Sequence, residues 1–337
     1  MTLLSIEDFS VHYRTRSGPV RAVDGATLAV APGSITGLVG ESGCGKSTLA
    51  RAIMGVLPDT ARVAGGRLLF EGQDLTALSE RQRRHLRWRR MAFVPQTAMS
   101  ALDPVQRLRA HFTEILCERG DLSRANALAR AAELFDLVGL PPARLADYPH
   151  QFSGGMRQRA SIALALALNP ALVIADEPVT ALDVIVQRQV LDVLRELQSR
   201  LHQALILVTH DMAVVAYICD RVAVMYAGQV VEAGTATAVL EAPLHPYSMG
   251  LTHAFPDLDG SDAALVPIEG SPPSLLHPPP GCRFAPRCPF AETRCHEAPP
   301  PLREFTGHAV ACWRADEAPA LRTLAAQPAT WAAMALV

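Results

Sequence analysis

One stretch of this chain has the residue types and spacing that bind nucleotide phosphates. Residues 40–48 read Gly-Glu-Ser-Gly-Cys-Gly-Lys-Ser-Thr, the GxxxxGK(S/T) pattern in which small residues let backbone N–H groups approach phosphate oxygens. We expect Lys46 to reach the β and γ phosphates and the Ser47 hydroxyl to hold Mg²⁺. The residues expected to contact the nucleotide here are Gly40, Ser42, Gly43, Cys44, Gly45, Lys46, Ser47 and Thr48.

Two acidic residues follow an apolar run that predicts a buried strand. Residues 171–175 read Ala-Leu-Val-Ile-Ala and lead directly into Asp176 and Glu177. We expect Asp176 to bind Mg²⁺, mostly through water. We expect Glu177 to polarise the attacking water, because a carboxylate is a suitable proton acceptor. The alternative is that both residues merely cap the next element.

The elements around these motifs predict an α/β fold. Residues 34–39 form a β-prone run that leads into the Gly-rich loop, and residues 47–55 predict a helix. This strand–loop–helix context is the one that the phosphate-binding pattern requires. Apolar strands that alternate with helices further along the chain predict a mostly parallel sheet covered on both faces.

A second motif, Phe-Ser-Gly-Gly-Met at residues 152–156, precedes a predicted helix. Ser153 can cap this helix, and Gly154 and Gly155 leave backbone N–H groups able to face an anion. A helix cap explains the serine but not the paired glycines. Together with the phosphate loop, this motif resembles the signature of ABC ATPases, which closes over the ATP held by an opposing subunit.

Further site residues take their roles from this resemblance. Gln96 is similar to the Q-loop glutamine and would contact Mg²⁺ or the water, and His210 is similar to the switch histidine that contacts the γ phosphate. Asp183 ends a segment that resembles the D-loop at the subunit interface. Tyr13 is a candidate for stacking on adenine, but a strand-surface tyrosine fits nearly as well. The residues expected to act in hydrolysis are Glu177, His210, Gln96 and Lys46.

The rest of the chain narrows the resemblance to ATP-binding subunits of the oligopeptide/dipeptide (peptide/nickel) importer family. The segments that carry it are Ala-Met-Ser-Ala-Leu-Asp-Pro at 98–104, His-Pro-Tyr at 245–247 and the Pro-rich run 270–289. The resemblance implies a RecA-like P-loop NTPase core in an ABC nucleotide-binding domain over residues 1–250. It also implies an inserted helical subdomain at about 97–157 and a Pro- and Cys-rich C-terminal module over 251–337.

The implied function is ATP hydrolysis that powers import of di- and oligopeptides, with nickel, haem or another non-peptide substrate as alternatives. The implied partners are a second ATPase subunit, two transmembrane permeases and an extracytoplasmic substrate-binding protein. Residues 96–105 would receive a coupling helix of a permease. Residues 1–8 lack a basic region followed by an apolar stretch, so we expect no signal peptide here. Apolar runs stop well short of the about 20 residues that span a bilayer. We therefore expect a peripheral protein at the cytoplasmic face of the inner membrane.

Four cysteines, Cys282, Cys288, Cys295 and Cys312, cluster near the C-terminus with gaps of five, six and sixteen residues. These gaps differ from the C-x₂-C pairs common in zinc sites. They are similar to the loosely spaced cysteines that hold an iron–sulfur cluster in some peptide-importer ATPases, so we expect a [4Fe–4S] cluster. Zinc, and free or disulfide-bonded thiols, are the alternatives.

A different class of function is a soluble ABC protein that acts on nucleic acid or ribosomes. The net charge of −2 gives no global attraction to nucleic acid, and the arginine-rich residues 81–90 are typical of a solvated helix. One cassette with a short insertion also differs from the two cassettes or long coiled coils of that class. We therefore expect no nucleic-acid partner. A non-hydrolysing regulatory subunit is disfavoured because Glu177 and His210 are both present.

Overall fold

The computed structural model of the chain describes residues 2–96, 101–180, 182–254, 267–305 and 307–332. The chain forms two compact units, each built from several stretches. The first unit consists of Met1–Leu3, Val30–Ile35 and Ala77–Val208. The second consists of Leu4–Ala29, Thr36–Thr76 and Thr209–Val337.

The described residues contain both strands and helices throughout. The strands are β1 (Leu4–Thr15), β2 (Gly18–Val30), β3 (Ile35–Val39), β4 (Ala61–Phe70), β5 (Gln73–Asp74), β6 (Met91–Val94), β7 (Leu172–Asp176), β8 (Ala204–Thr209), β9 (Arg221–Tyr226), β10 (Gln229–Thr235), β11 (Arg303–Phe305) and β12 (His308–Val310). The helices are α1 (Lys46–Met54), α2 (Glu80–Leu86), α3 (Leu108–Glu118), α4 (Arg124–Leu137), α5 (Gly154–Ala165), α6 (Val184–Leu201), α7 (Met212–Ile218), α8 (Ala236–Glu241), α9 (Pro246–His253), α10 (Thr293–Glu297), α11 (Ala318–Ala325) and α12 (Pro328–Ala332).

The first unit is built around three parallel strands in the order β8-β7-β6. Leu172 of β7 pairs with Met91 of β6 on one side and with Ala204 of β8 on the other. Every residue of β7 and β8 is buried, as expected of parallel strands whose two faces are both covered. The three strands therefore end on the same side of the sheet, where β7 ends at Asp176 and is followed by Glu177.

Three helices of the first unit, α3, α4 and α5, lie in the stretch between β6 and β7 that the sequence predicts to be helical. Phe112 of α3 and Phe135 of α4 are fully buried and meet edge to face, with ring centroids 5.4 Å apart. Phe152, just before α5, packs against Phe135 at 6.4 Å. The Ser123 side chain caps α4 by accepting a bond from the backbone of Asn126. Aromatic packing and capping therefore hold these helices together.

The second unit contains two sheets. One has the order β2-β1-β4-β5, with β1 antiparallel to β4 and β4 antiparallel to β5. In the other, the strands follow the order β11-β12-β10-β9-β3. Within it β3 and β9 are parallel, whereas β9, β10, β12 and β11 pair antiparallel. The predicted parallel pattern therefore holds near the phosphate loop, and antiparallel hairpins extend the sheet towards the C-terminus.

The C-terminal stretch, residues 267–305 and 307–332, packs on the rest of the second unit through buried groups. Trp331 is almost fully buried, and its Nε1 donates to the carbonyl of Ala325 at 2.8 Å. Phe290 packs edge to face on Trp331. Glu232 of β10 is fully buried and lies 2.6 Å from Nε2 of His308 on β12. This stretch is thus joined to β10 by both strand pairing and a buried polar contact.

Candidate functional site

The phosphate-loop residues 40–48 lie where the sequence predicts them, between β3 and the first turn of α1. Gly40 has φ 148° and Gly45 has φ 108°, in the region that favours glycine. A Cβ at Gly40 would lie 2.1 Å from the carbonyl oxygen of Met225, and one at Gly45 would lie 2.1 Å from that of Ala22. These two positions therefore admit only glycine in this loop conformation.

The Lys46 side chain is buried and turned back over the loop. Its Nζ donates to the carbonyl of Gly40 at 2.6 Å and to that of Glu41 at 2.9 Å. Cys44 lies beside it, and burial raises the pKa of the Cys44 thiol although Lys46 opposes the shift. The lysine ammonium is thus held at the centre of the loop by carbonyl oxygens.

The remaining residues of the loop are more accessible. Ser42 and Gly43 are exposed, and Ser47 is half-buried in the first turn of α1. The hydroxyl of Thr48 lies 3.3 Å from the hydroxyl of Tyr13 on β1. The candidate adenine-stacking residue is therefore next to the phosphate loop, a proximity that the sequence alone did not establish.

In the first unit, the structure brings two candidate residues into direct contact. Nε2 of Gln96 donates to Oε2 of Glu177 at 2.7 Å, and Oγ1 of Thr180 donates to the same oxygen at 3.0 Å. Glu177 has φ 48°, a left-handed conformation that is costly for a residue with a side chain. Asp176 is buried as the last residue of β7. The carboxylate of Glu177 is therefore oriented by two donors, one of which, Thr180, sequence reasoning did not assign to it.

The signature motif caps α5 as the sequence predicts. Ser153 Oγ accepts from the backbone of Met156 at 3.3 Å. Gly154 is exposed, whereas a Cβ at the buried Gly155 would lie only 2.2 Å from a methyl group of Val186 on α6. Close packing of α5 on α6 is thus one physical reason for the second glycine, beyond the anion contact inferred from sequence.

Asp183 and His210 begin or precede helices in the two units. The exposed Asp183 caps α6, because its Oδ1 accepts from the backbone of Val186 at 3.0 Å. Of the D-loop-like segment 180–183, residue 181 lies outside the described residues. In the second unit, the exposed His210 directly follows β8 and precedes Asp211, which caps α7. Both residues therefore stand at turns rather than inside elements, where a ligand can reach them.

The four clustered cysteines line one small cavity in the second unit, together with His245, Phe284, Ala285, Phe290 and Trp313, and its volume is about 20 Å³. Cys295 and Cys312 are buried, and all seven cysteines, which the structure describes, are free rather than disulfide-bonded. Burial raises the pKa of Cys282 and Cys288, and it raises the pKa of Cys312 to about 12. In the part of the chain that the structure describes, no set of three His, Cys, Asp or Glu side chains is arranged to hold a metal ion.

Sequence comparison decides the family. The profile of the ABC transporter family matches residues 23–180, and that of the oligopeptide/dipeptide transporter C-terminal region matches residues 231–295. The probable peptide ABC transporter ATP-binding protein y4tR of Sinorhizobium fredii is 46% identical over 320 residues, covering 94% of this chain and 96% of that protein. This chain belongs to the ABC transporter family, in its oligopeptide/dipeptide group of ATP-binding proteins.

Other relatives of this ABC protein agree with that assignment. The oligopeptide transport ATP-binding protein OppD of Escherichia coli is 44% identical, with 93% of each chain covered. The dipeptide transport ATP-binding protein DppD of Bacillus subtilis is 43% identical, covering 94% of this chain and 95% of that protein. The family resemblance predicted from the motifs is confirmed, and with it an ATP-binding and ATP-hydrolysing role.

Solved structures show that this ABC protein has the ABC ATPase fold. A dimeric structure of MJ0796, a bacterial ABC transporter cassette, superposes with a TM-score of 0.63 at 25% identity, covering 69% of this chain and 98% of that one. The cbiO1 protein of Clostridium perfringens, part of the ABC transporter complex cbiONQ, gives 0.62 at 26% identity, covering 71% and 91%. Within the described residues, no helix of this ABC protein is both long and apolar enough to cross a bilayer.

Proposed function

We propose that this ABC protein hydrolyses ATP to power import of di- and oligopeptides through a multi-component transporter. The observation that carries the proposal is the glycine-constrained phosphate loop around Lys46, in a chain related over about its whole length to peptide-transport ATP-binding proteins. Neither the near-neutral charge nor any of the relatives described above favours the nucleic-acid alternative. Nickel or haem import would use the same ATPase chemistry.

When ATP binds, Lys46 exchanges its contacts with the carbonyls of Gly40 and Glu41 for the β and γ phosphates. The exchange is favourable because phosphate oxygens carry full charge and carbonyl oxygens do not. Ser47 of the second unit would offer Mg²⁺ a hydroxyl oxygen, and Asp176 and Gln96 of the first unit would offer carboxylate and amide oxygens, which are ligands that Mg²⁺ prefers. The ion would offset phosphate charge. Tyr13 then stacks on the adenine, and backbone N–H groups of the loop surround the phosphates.

Glu177 is the proposed general base. It takes a proton from the attacking water as the water oxygen bonds to the γ phosphorus and ADP departs. Gln96 and Thr180 both donate to Oε2 of Glu177, which fixes the orientation of the carboxylate. His210, in the turn after β8, would contact the γ phosphate.

A second ATPase subunit would complete each site. Ser153, Gly154, Gly155 and Asp183 would face the ATP of that subunit, the first three with backbone N–H groups and the positive end of α5. Val184 and Ile185, immediately after Asp183, are 82% and 72% exposed. Large apolar side chains so exposed favour a partner surface at this point.

The remaining partners are two transmembrane permeases and a substrate-binding protein outside the membrane, which place this chain peripherally at the cytoplasmic face. Residues 96–105 would receive a permease helix, although residues 97–100 lie outside the described residues. We assign residues 1–250 to the nucleotide-binding domain, with a helical subdomain at about 97–157, and residues 251–337 to a C-terminal module. Relatives named as transport ATP-binding proteins support this assembly.

Replacing Glu177 tests the function in the assembled transporter. We expect Glu177→Gln to bind ATP normally. Its peptide-stimulated turnover rate should fall about 10²- to 10⁴-fold, since a general base contributes a rate factor of that size. Glu196→Gln, on the exposed face of α6, is the matched control and should keep full turnover. Equal turnover in Glu177→Gln and wild type would remove the base role, and ATPase activity that responds to nickel or haem but not to peptides would remove the peptide assignment.

We further propose that Cys282, Cys288, Cys295 and Cys312 hold a [4Fe–4S] cluster, which would supply an electron-carrying or structural centre when bound. What supports the proposal is the chemistry of the donors, because four thiols line one cavity and four thiolates ligate such clusters, although these side chains are not arranged to hold a metal ion as they stand. The cavity of about 20 Å³ has room for little more than one water, so the side chains must move apart and lose their protons. A brown protein with stoichiometric iron and sulfide after purification without oxygen is expected; stoichiometric zinc without iron would refute the cluster.

A further inference from the structure

Glu41, the second residue of the phosphate loop, is held by side chains from the C-terminal part of the chain. Nη1 of Arg287 donates to Oε2 of Glu41 at 2.8 Å, and Nη2 donates to Oε1 at 3.0 Å. The backbone N–H of Glu41 donates to the hydroxyl of Tyr247 at 2.9 Å. The loop is therefore anchored at this residue through both its side chain and its backbone.

The Arg287 side chain is almost completely buried, with 6% of it exposed. Its remaining N–H donors also have hydrogen-bond partners. It donates to the carbonyls of Glu269 and Ile268 and to the hydroxyl of Tyr226, at 2.9, 3.0 and 3.1 Å. A planar fork with so many fixed partners has one orientation, so it can position Glu41 rigidly.

Arg287 also stands next to residues that line the four-cysteine cavity. It directly precedes Cys288, and its backbone N–H donates to Phe284, another residue of the cavity wall. The Phe284 ring packs on Tyr226 and Tyr247, with centroids 5.2 and 5.4 Å away. The short turn at residues 284–288 therefore lines the cavity through Phe284, Ala285 and Cys288, and it contacts the phosphate loop through Arg287.

The position of Glu41 matters for nucleotide binding because its peptide is part of the loop whose N–H groups surround the phosphates. Its carbonyl oxygen also holds the Lys46 ammonium at the loop before ATP binds. A shift of the Glu41 peptide would move the lysine ammonium and the N–H groups beside it together. Binding sites lose affinity when such donors are no longer preorganised. The geometry points to Arg287 as a positioning residue of the phosphate loop, acting through Glu41. This inference rests on nucleotide binding at the phosphate loop, as proposed above.

The test measures equilibrium binding of MgATP to the full-length chain and unfolding temperature for the same variants. We expect Arg287→Gln and Glu41→Gln each to weaken ATP binding about tenfold, within the range usual for coupled sites. The double variant should bind ATP with about the affinity of whichever single variant binds it less tightly. Either change alone already removes the same Glu41–Arg287 contact. In the assembled transporter, Arg287→Gln should raise KM for ATP with little change in kcat.

Arg294→Gln is the matched control. Arg294 directly precedes Cys295 as Arg287 precedes Cys288, but it is half-exposed and paired with Glu292. The Arg294→Gln variant should bind ATP with the wild-type affinity, within about twofold. Lys46→Ala tests the underlying function separately. If wild type and Lys46→Ala bind ATP equally, the loop is not the nucleotide site, and the proposed function fails before Arg287 is considered.

Two results would overturn the inference while leaving the function intact. The first is wild-type ATP affinity in Arg287→Gln, whatever its unfolding temperature, since Arg287 would then only stabilise the fold. The second is additive losses in the double variant, which would mean that Arg287 does not act through Glu41. Should Arg287→Gln fail to fold, Glu41→Gln decides alone, because it preserves shape and one acceptor oxygen; unchanged ATP affinity in that variant contradicts the proposal.

Discussion

Replacing Glu232 by alanine should destabilise the second unit strongly, because its carboxylate is the shared acceptor of three donors. Oε1 accepts from the backbone of Leu244 at 2.7 Å and from Nε2 of His308 at 2.6 Å. Oε2 accepts from the backbone of His245, the N-cap of α9, at 2.9 Å. Glu232 is fully buried, so it ties β10 to α9 and to β12 away from solvent.

The magnitude follows from the donors that the change leaves unpaired. A buried donor without a partner costs about 1–3 kcal/mol, so three give about 3–9 kcal/mol before relaxation. We therefore expect Glu232→Ala to lower the free energy of unfolding by about 4 kcal/mol. Glu232→Gln keeps one acceptor oxygen but turns an NH₂ group towards a donor, and about 2 kcal/mol is expected.

Urea unfolding at neutral pH, followed by tryptophan fluorescence, measures the effect through Trp313 and Trp331 in the same unit. Glu304→Ala, an exposed glutamate on β11, is the matched control and should change the free energy of unfolding by less than about 0.5 kcal/mol. A loss below about 1 kcal/mol for Glu232→Ala would refute the reasoning, since no donor would then have been left unsatisfied.

Three further changes probe the phosphate loop of the second unit and the helices of the first unit. Gly45→Ala should abolish ATP binding, because its Cβ would lie 2.1 Å from the Ala22 carbonyl at φ 108°, whereas Gly65→Ala meets open space and should bind normally in the same titration. Phe112→Ala removes a fully buried ring and should cost about 3–5 kcal/mol in urea unfolding followed by circular dichroism. Ser123→Ala removes the cap of α4 and should cost about 1 kcal/mol in the same measurement.

Elements defined by local pattern could be predicted well from the sequence. The strand predicted at 34–39 is Ile35–Val39, and the helix predicted at 47–55 is Lys46–Met54. The strand predicted at 171–175 is Leu172–Asp176. In each case an apolar run meets a loop or helix signal within a few residues, so the information is local.

The parts that could not be predicted depend on residues far apart in the chain. The contact of Glu41 with Arg287 joins positions 246 residues apart, and no periodic pattern in the sequence predicts it. The strands β11 and β12 have only three residues each, too few for an alternation pattern to emerge. Gly155 was singled out for its backbone, yet its closest constraint is the Val186 side chain. Such features depend on how distant segments pack together, so the sequence of any one segment does not predict them.

The contacts of the C-terminal stretch share one physical design that bears on the phosphate loop. Arg283 bonds to the carboxylate of Asp24 and the carbonyl of Ala227, as Arg287 bonds to Glu41 and to backbone carbonyls. An apolar contact of similar area would tolerate sliding by an ångström, because dispersion and burial are not directional. A buried guanidinium whose donors are all matched does not tolerate it, since any shift leaves charge unpaired. The buried arginines therefore specify where this stretch sits on the rest of the second unit, and Arg287 extends that constraint to the loop that holds Lys46.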